Sequence, residues 1–320
     1  MAIPAATIRI FQPGNTENMH APHQTKCQMT KPSINPVLRV ESTASNAMDY
    51  SANPPRVAAP VKAMGFAPAP HPSYSGGMND IVSFGYQTIP TTEKTARVGA
   101  VFTSVAPSYD IMNDAMSAGM HRIWKDRFVR RVKPRGGETV LDMAGGTGDI
   151  AFRLAASGAN VTVADINPAM LDVGIERAAK RGIDGLVWTE ANAEALTFPD
   201  RFFDAYTIAF GIRNVTDIPA ALAEAQRVLR RGGRFFCLEF STTLWPGFAQ
   251  AYDAYSHHVV PQIGRIVARD EDSYRYLIES IRRFPDMPTF EGMIRDAGFI
   301  STRVEPMLGG LVAIHSGWKI

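Results

Sequence analysis

The sequence predicts an α/β fold built on a mostly parallel, doubly wound sheet. Apolar, strand-like runs alternate with segments of helical period between residues 138 and 240, and glycines mark the joints. The first joint is the glycine-rich stretch LDMAGGTGD at 141–149, placed where a strand hands over to a helix.

Taken in order, ETVLDMA reads as a strand, GDIAFRLAAS as a helix, ANVTVADI as a strand and PAMLDVGIERAAKRG as a helix. GLVWTEA and FFDAYTIAF are the next strands, DIPAALAEAQRVLRRGG is a helix, and RFFCLEF closes the run as a strand. Two stretches before this run, EKTARVGAVFTSVAPSYDIMNDAM and HRIWKDRFVRRV, place apolar residues at i, i+3 and i+4 and predict a helical flap over about 94–133. Pro134 and Gly136-Gly137 end it. After Glu239 come a mainly helical insertion, about 245–284, the helix TFEGMIRDAG, and two strands, FISTRVEPM and LVAIHSGWKI, joined by a turn at Gly309-Gly310.

Residues 1–77 hold 11 of the 22 prolines and show no helical or strand period, so they are expected to be disordered. A targeting segment is the alternative, as is translation starting at Met78. Residues 78–320 form the folded domain. With 33 basic against 31 acidic residues, net charge +2, small-molecule chemistry is expected and no nucleic-acid partner. Cys27 and Cys237 stand far apart with no metal-ligand spacing, so neither a disulfide framework nor a metal site is implied. No apolar run reaches the roughly 18 residues that span a bilayer.

Glycines after a strand let backbone approach a ligand, and the helix that follows offers unpaired N–H groups. A dinucleotide loop uses G-x-G-x-x-G; here Gly146-Thr147-Gly148 is followed by Asp149, Ile150 and Ala151, where Ala151 can serve as the variant third position. An NAD-dependent oxidoreductase therefore stays open on loop geometry alone. Asp142 favours S-adenosylmethionine (SAM), because a carboxylate beside the loop opposes a pyrophosphate and accompanies a sulfonium and an amino group. Asp165, ending the second strand, suits ribose hydroxyls. Gly145, Gly146 and Thr147 offer loop contacts, and Asn192 and Ala193, which on their own read as turn residues after the third strand, lie where resemblance to class I methyltransferases implies that adenine is held.

The stretches YDIMNDAMSAGMHRIW (109–124) and RVLRRGGRFFCLEFS (227–241), with AGGTGD, AFGIRNVTD and YDAYSHHVVPQIG, resemble the UbiE/Coq5 family of quinone C-methyltransferases over roughly residues 84–320. Arg230-Arg231 replaces the family's Lys-Pro, and Ala209 stands where some relatives carry a cofactor-contacting serine. The resemblance implies a class I SAM-dependent methyltransferase fold, Rossmann-like, with a seven-stranded sheet and an antiparallel C-terminal hairpin.

It also implies C-methylation of a polyprenylated benzoquinol, or of demethylmenaquinol, in ubiquinone or menaquinone biosynthesis. A catalytically silent SAM-binding scaffold is the other alternative. A ring carbon becomes nucleophilic only when a neighbouring hydroxyl is deprotonated, so the site needs a base and an anion stabiliser. Arg213 and Asn214, after the fourth strand, are the candidates for stabilisation, and His258, beside His257 in the insertion, is the candidate base. Asp217 or another carboxylate is an alternative partner for Arg213. Tyr109, with Asp110, is expected at the methionine end of SAM; His121 and Trp124 either close the pocket or pack the flap. Phe248, Tyr252, Tyr255, Val259, Val260 and Ile263 either line an isoprenoid groove or form core. A lipid-tailed quinol implies a peripheral enzyme, cytoplasmic at the inner membrane, or in the mitochondrial matrix if the extension is a transit peptide. Other quinone-biosynthesis proteins and a second copy of the chain are candidate partners.

Overall fold

The sheet runs in the spatial order β1-β6-β5-β4-β7-β8-β10-β9. Its strands are β1 (Arg39–Val40), β4 (Thr139–Met143), β5 (Asn160–Asp165), β6 (Val187–Glu190), β7 (Phe203–Ala209), β8 (Leu229–Phe240), β9 (Ile300–Met307) and β10 (Val312–Trp318). Strands β6, β5, β4, β7 and β8 are parallel, and β10 enters antiparallel between β8 and β9. The computed structural model describes residues 39–40, 81–106, 109–241 and 271–320.

Strand order reverses between β4 and β7, so the carboxyl ends of β4, β5, β6 and β7 surround a crevice in which ligands bind in open α/β sheets. Side chains of β4 alternate as a two-residue period requires: Val140 joins the core on one face, Leu141 and Met143 the core on the other. Trp188, Phe128 and Phe152 fill the first; Tyr206, Phe235 and Phe290 fill the second.

Helix starts follow local capping chemistry. In α5 (Pro168–Arg181) the Asn167 side chain accepts from the amides of Ala169 and Met170, with Pro168 in the first turn and left-handed Gly182 after the end. In α6 (Ile218–Val228) Asp217 caps Ala220, so it is not the partner of Arg213. Asp286 caps Thr289 in α8 (Met287–Asp296).

The flap is three helices, α1 (Thr91–Val105), α2 (Tyr109–Ser117) and α3 (His121–Val132). The first two were read as one run; α1 ends at Val105, just before Pro107, which has no N–H to continue a helix. Helix α3 packs into the sheet core through Trp124, Phe128 and Val132. Val98, Val101 and Met112 instead join Tyr274, Leu277 and Ile278 of α7 (Glu271–Arg283).

Three features depart from the sequence reading. A hairpin of β2 (Ile81–Phe84) and β3 (Gln87–Pro90) precedes the flap, turning at left-handed Gly85, where a Cβ would lie 2.2 Å from Glu279 Oε2. Strand β8 begins five residues before RFFCLEF, because Leu229 is already extended and pairs with Phe203, with a register shift before Ala205. Within the N-terminal stretch expected to be disordered, Arg39–Val40 pairs in parallel with Trp188 and Thr189 on the open edge of β6, whose unpaired backbone groups accept a strand. Among the described residues no helix is long and apolar enough to cross a membrane.

Candidate active site

The glycine loop leaves β4 through Ala144, Gly146 and Gly148, all left-handed, and enters α4 (Asp149–Ala155). A Cβ on Gly145 would stand 2.6 Å from Val163 Cγ1, so the loop can lie this close to β5 only as glycine. Gly146 N donates to Asp165 Oδ2 and Asn167 N to Asp165 Oδ1, each at 2.9 Å. Burial pushes the Asp165 carboxyl up to about 6, against the pull of these backbone N–H groups.

Two cavities open at the strand ends. The first, about 740 Å³ with its open mouth, is lined by Gly146, Asp165, Asn192, Ala193 and Asn214, with Phe102 of α1 across from them. The second holds Asp142, Gly145, Thr147, Asp149 and Lys125. Tyr109, Ala144 and Phe210 border both. Ala144 (φ 51°) and Phe210 (φ 58°) are both non-glycine residues in the left-handed region, a local strain of about 1 kcal/mol each concentrated where the cavities meet.

Asp142 is buried at the end of β4. Its Oδ1 accepts from Thr207 Oγ1 at 2.8 Å, Oδ2 is enclosed without a side-chain partner, and the Ala151 backbone N–H also favours the ionised form. Burial raises its carboxyl to about 7. A pyrophosphate would set more negative charge against Asp142, Asp149 and Asp165. A sulfonium with an α-ammonium meets an unsatisfied carboxylate oxygen and a close-fitting glycine cradle, so the residues present fit SAM.

Thr147 is buried, its hydroxyl accepting from Arg177 Nη1 at 2.6 Å. Arg177 also reaches Asp110, which turns Asp110 away from the cavities and ties α2 to the loop. Asn192 is at once a turn residue, its Oδ1 accepting from Glu194 N, and a cavity wall. Tyr109 has its phenol raised to about 12 by burial, so it stays a donor at neutral pH.

Arg213 and Asn214 occupy a short 3-10 turn after β7. Arg213 Nη1 donates to Glu239 Oε1 at 2.8 Å and to the Phe210 carbonyl, and its guanidinium lies 5.7 Å from the Phe240 ring centroid. Glu239 is fully buried; burial lifts its carboxyl, and Arg213 opposes that rise. Asn214 lines the first cavity, with Oδ1 accepting from Tyr276 and Nδ2 buried without an acceptor. Trp124 packs edge-on against Phe240, and His121 binds Asp114. Both therefore pack the flap. His257, His258 and the proposed groove residues Phe248 to Ile263 lie outside the described residues.

Sequence reasoning missed Lys125, Asp149 and Glu239. Lys125 is buried and bonds Asp149 Oδ2 at 2.8 Å; Arg153 binds the other oxygen. Though burial opposes it, these two cations hold the Asp149 carboxyl well below the usual range. The signal for Lys125 was its place four residues after His121, on the face already assigned to His121 and Trp124.

The ubiE/COQ5 methyltransferase family matches residues 90–319. A ubiquinone/menaquinone biosynthesis C-methyltransferase UbiE of Zymomonas mobilis is 65% identical over 239 residues, covering 75% of this chain and 99% of that protein. The mitochondrial 2-methoxy-6-polyprenyl-1,4-benzoquinol methylase of Arabidopsis thaliana is 51% identical, covering 74% and 90%. A UbiE of Nitrobacter hamburgensis is 54% identical, covering 75% and 98%. These matches decide between the methyl donor and the nicotinamide for the glycine loop: the chain belongs to the ubiE/COQ5 methyltransferase family and is a SAM-dependent methyltransferase.

Proposed function

We propose that the enzyme methylates a ring carbon of a polyprenylated benzoquinol, 2-methoxy-6-polyprenyl-1,4-benzoquinol, or of demethylmenaquinol, as the names of its relatives suggest for them. One observation carries the reading on this chain's own residues. The first cavity has, beside the Asp165 and Asn192 end suited to the nucleoside, a side formed by Val98, Phe102, Phe210 and Val215 with Asn214 and Tyr109, a combination that suits an aromatic ring with polar edges.

SAM supplies an electrophilic methyl group when bound. The chain must then raise the nucleophilicity of the ring by stabilising a phenolate. Asn214 Nδ2, buried without an acceptor, offers one hydrogen bond to a ring oxygen, and the protonated Tyr109 offers another. Arg213 lines neither cavity; held by Glu239 and the Phe210 carbonyl, it contributes fixed positive charge behind Asn214 and Tyr109. Arginine stays protonated, so the proton goes to water or to a base such as His258. Helix α1 shuts the cavity from one side, fixed by Lys94 Nζ on the Val215 carbonyl and by Asn167 Nδ2 on the Gly99 carbonyl. We place the reaction at a membrane surface, where a lipid-tailed quinol resides, with bacterial cytoplasm or mitochondrial matrix as the compartment.

Transfer of labelled methyl from SAM to demethyl-benzoquinol and demethyl-naphthoquinol analogues tests the proposal. Transfer to either supports it and names the acceptor. No transfer to either by a chain that binds SAM would sink it.

A further inference from the structure

Helix α7 reaches the turn after β7 with two side chains one helical turn apart. Tyr276 Oη donates to Asn214 Oδ1 at 3.1 Å, and Ser280 Oγ accepts from Arg213 Nε at 3.3 Å. Residues at i and i+4 share a helix face, so one face of α7 holds both side chains of the Arg213-Asn214 pair. The Tyr276 contact is the more decisive. Arg213 has further partners in Glu239 and the Phe210 carbonyl, whereas Asn214 Nδ2 has none among the described residues.

Tyr276 is built as a fixed donor. It is 5% exposed, and its ring stacks on Phe84 of β2 with centroids 4.3 Å apart and planes 20° from parallel. The turn after Phe84 is tied to α7 as well, since the Tyr86 amide donates to Glu279 Oε2 at 2.9 Å. Burial raises the Tyr276 phenol to about 12, against the neighbouring Arg213, so it keeps its proton. A cation beside a phenol favours the orientation in which the oxygen lone pairs face the charge and the proton points away from it. That proton meets Asn214 Oδ1, which leaves Nδ2 as the end of the amide that can serve another acceptor.

We propose that Tyr276 is a positioning residue for methyl transfer: its hydroxyl fixes the Asn214 amide with Nδ2 as the donor to the ring oxygen of the acceptor. The proposal rests on a quinol-type acceptor bound beside Asn214. Without the hydroxyl the amide can turn over, and its oxygen, which repels a developing phenolate, then competes for the same place. The β2–β3 hairpin thereby acquires a task. None of its residues lines either cavity, and it acts by buttressing Tyr276.

Steady-state methyl transfer by the full chain, from labelled SAM to whichever quinol analogue it accepts, tests the assignment. Tyr276→Phe keeps the ring and its stack and removes only the hydroxyl. It is expected to lower kcat about tenfold by the same factor from pH 6 to pH 9, with KM for SAM within about twofold and an unchanged circular dichroism spectrum. Asn214→Ala is expected to cost at least as much, and adding Tyr276→Phe to it to cost less than about twofold more, because the hydroxyl then has no amide to orient. Unchanged kcat in Tyr276→Phe, or a second loss of about tenfold on top of Asn214→Ala, would overturn the assignment. So would a loss confined to one limb of the pH profile, which would make the phenol an acid or base in its own right. If the unaltered chain transferred methyl to no analogue, the acceptor reading would fall and this inference with it.

Discussion

The two cavities that meet at Tyr109 are built by opposite means. The first is shaped by strand ends: its one ionisable wall group from the sheet, Asp165, already holds two backbone N–H groups, and around it stand amide side chains such as Asn192 and Asn214 and apolar surface. The second is shaped by side-chain charge, Lys125 and Asp149 against Asp142, and its cation comes from the appended flap. The flap takes part in both, through Phe102 of α1 in the first cavity and Lys125 of α3 in the second, but only in the second does it bring a charge.

Four perturbations separate these regions. The largest effect is expected at their shared border. Arg213→Ala leaves Glu239 buried and uncompensated, which costs about 3–5 kcal/mol in a urea denaturation series; an unchanged midpoint would mean that the pair does not hold this border together. Next, Asp165→Asn removes a carboxylate acceptor from the wall of the first cavity. Binding of 5′-methylthioadenosine, the nucleoside part of the cofactor, should weaken roughly 10- to 100-fold, or about 1.5–3 kcal/mol, in a calorimetric titration; unchanged affinity would remove Asp165 from the nucleoside site.

The third concerns the second cavity in acid. Asp149 has a depressed carboxyl, so its contribution to stability is present above the unfolded value of about 3.9 and is lost as pH falls through the folded one. Comparing unaltered and Asp149→Asn chains by urea midpoint at pH 7, 5 and 3, the gap between them should be widest at the first two and narrow at the third. A gap that widens in acid would contradict the pairing. The smallest effect is expected from Arg177→Ala, which cuts the half-exposed tie between Asp110 and Thr147. A loss of no more than about 1 kcal/mol is expected, read as a few-fold weaker SAM binding with an unchanged thermal midpoint.

Much of the scaffold was legible because its signals are local. The strands β4, β5 and β7 follow from apolar runs, and Asn167, Asp217 and Asp286 each precede a helix whose first turn contains proline. The β2–β3 hairpin was not legible, since IVSF and QTIP are short and the second ends in proline; its turn is secured by Glu279, far along the chain. The glycine loop, Asp142 and Asp165 could be placed from spacing. Lys125 could not, because in HRIWKDRFVRR a lysine reads as one more cation on a solvated face, and only packing against α4 buries it. Glu239 was invisible for the same reason: its partner Arg213 lies 26 residues away and meets it only once β7 and β8 pair.

Strand β10 has one further consequence. It is the last strand in sequence and yet an interior one, with Ala313 paired to Glu239 and to Pro306. Until β10 is in place, β9 has no neighbour to pair with and β8 keeps one side open. The strand that presents Glu239 to Arg213 therefore gains its second neighbour only when residues 312–318 insert, so the buried charge pair depends on the segment that follows it by more than seventy residues in sequence.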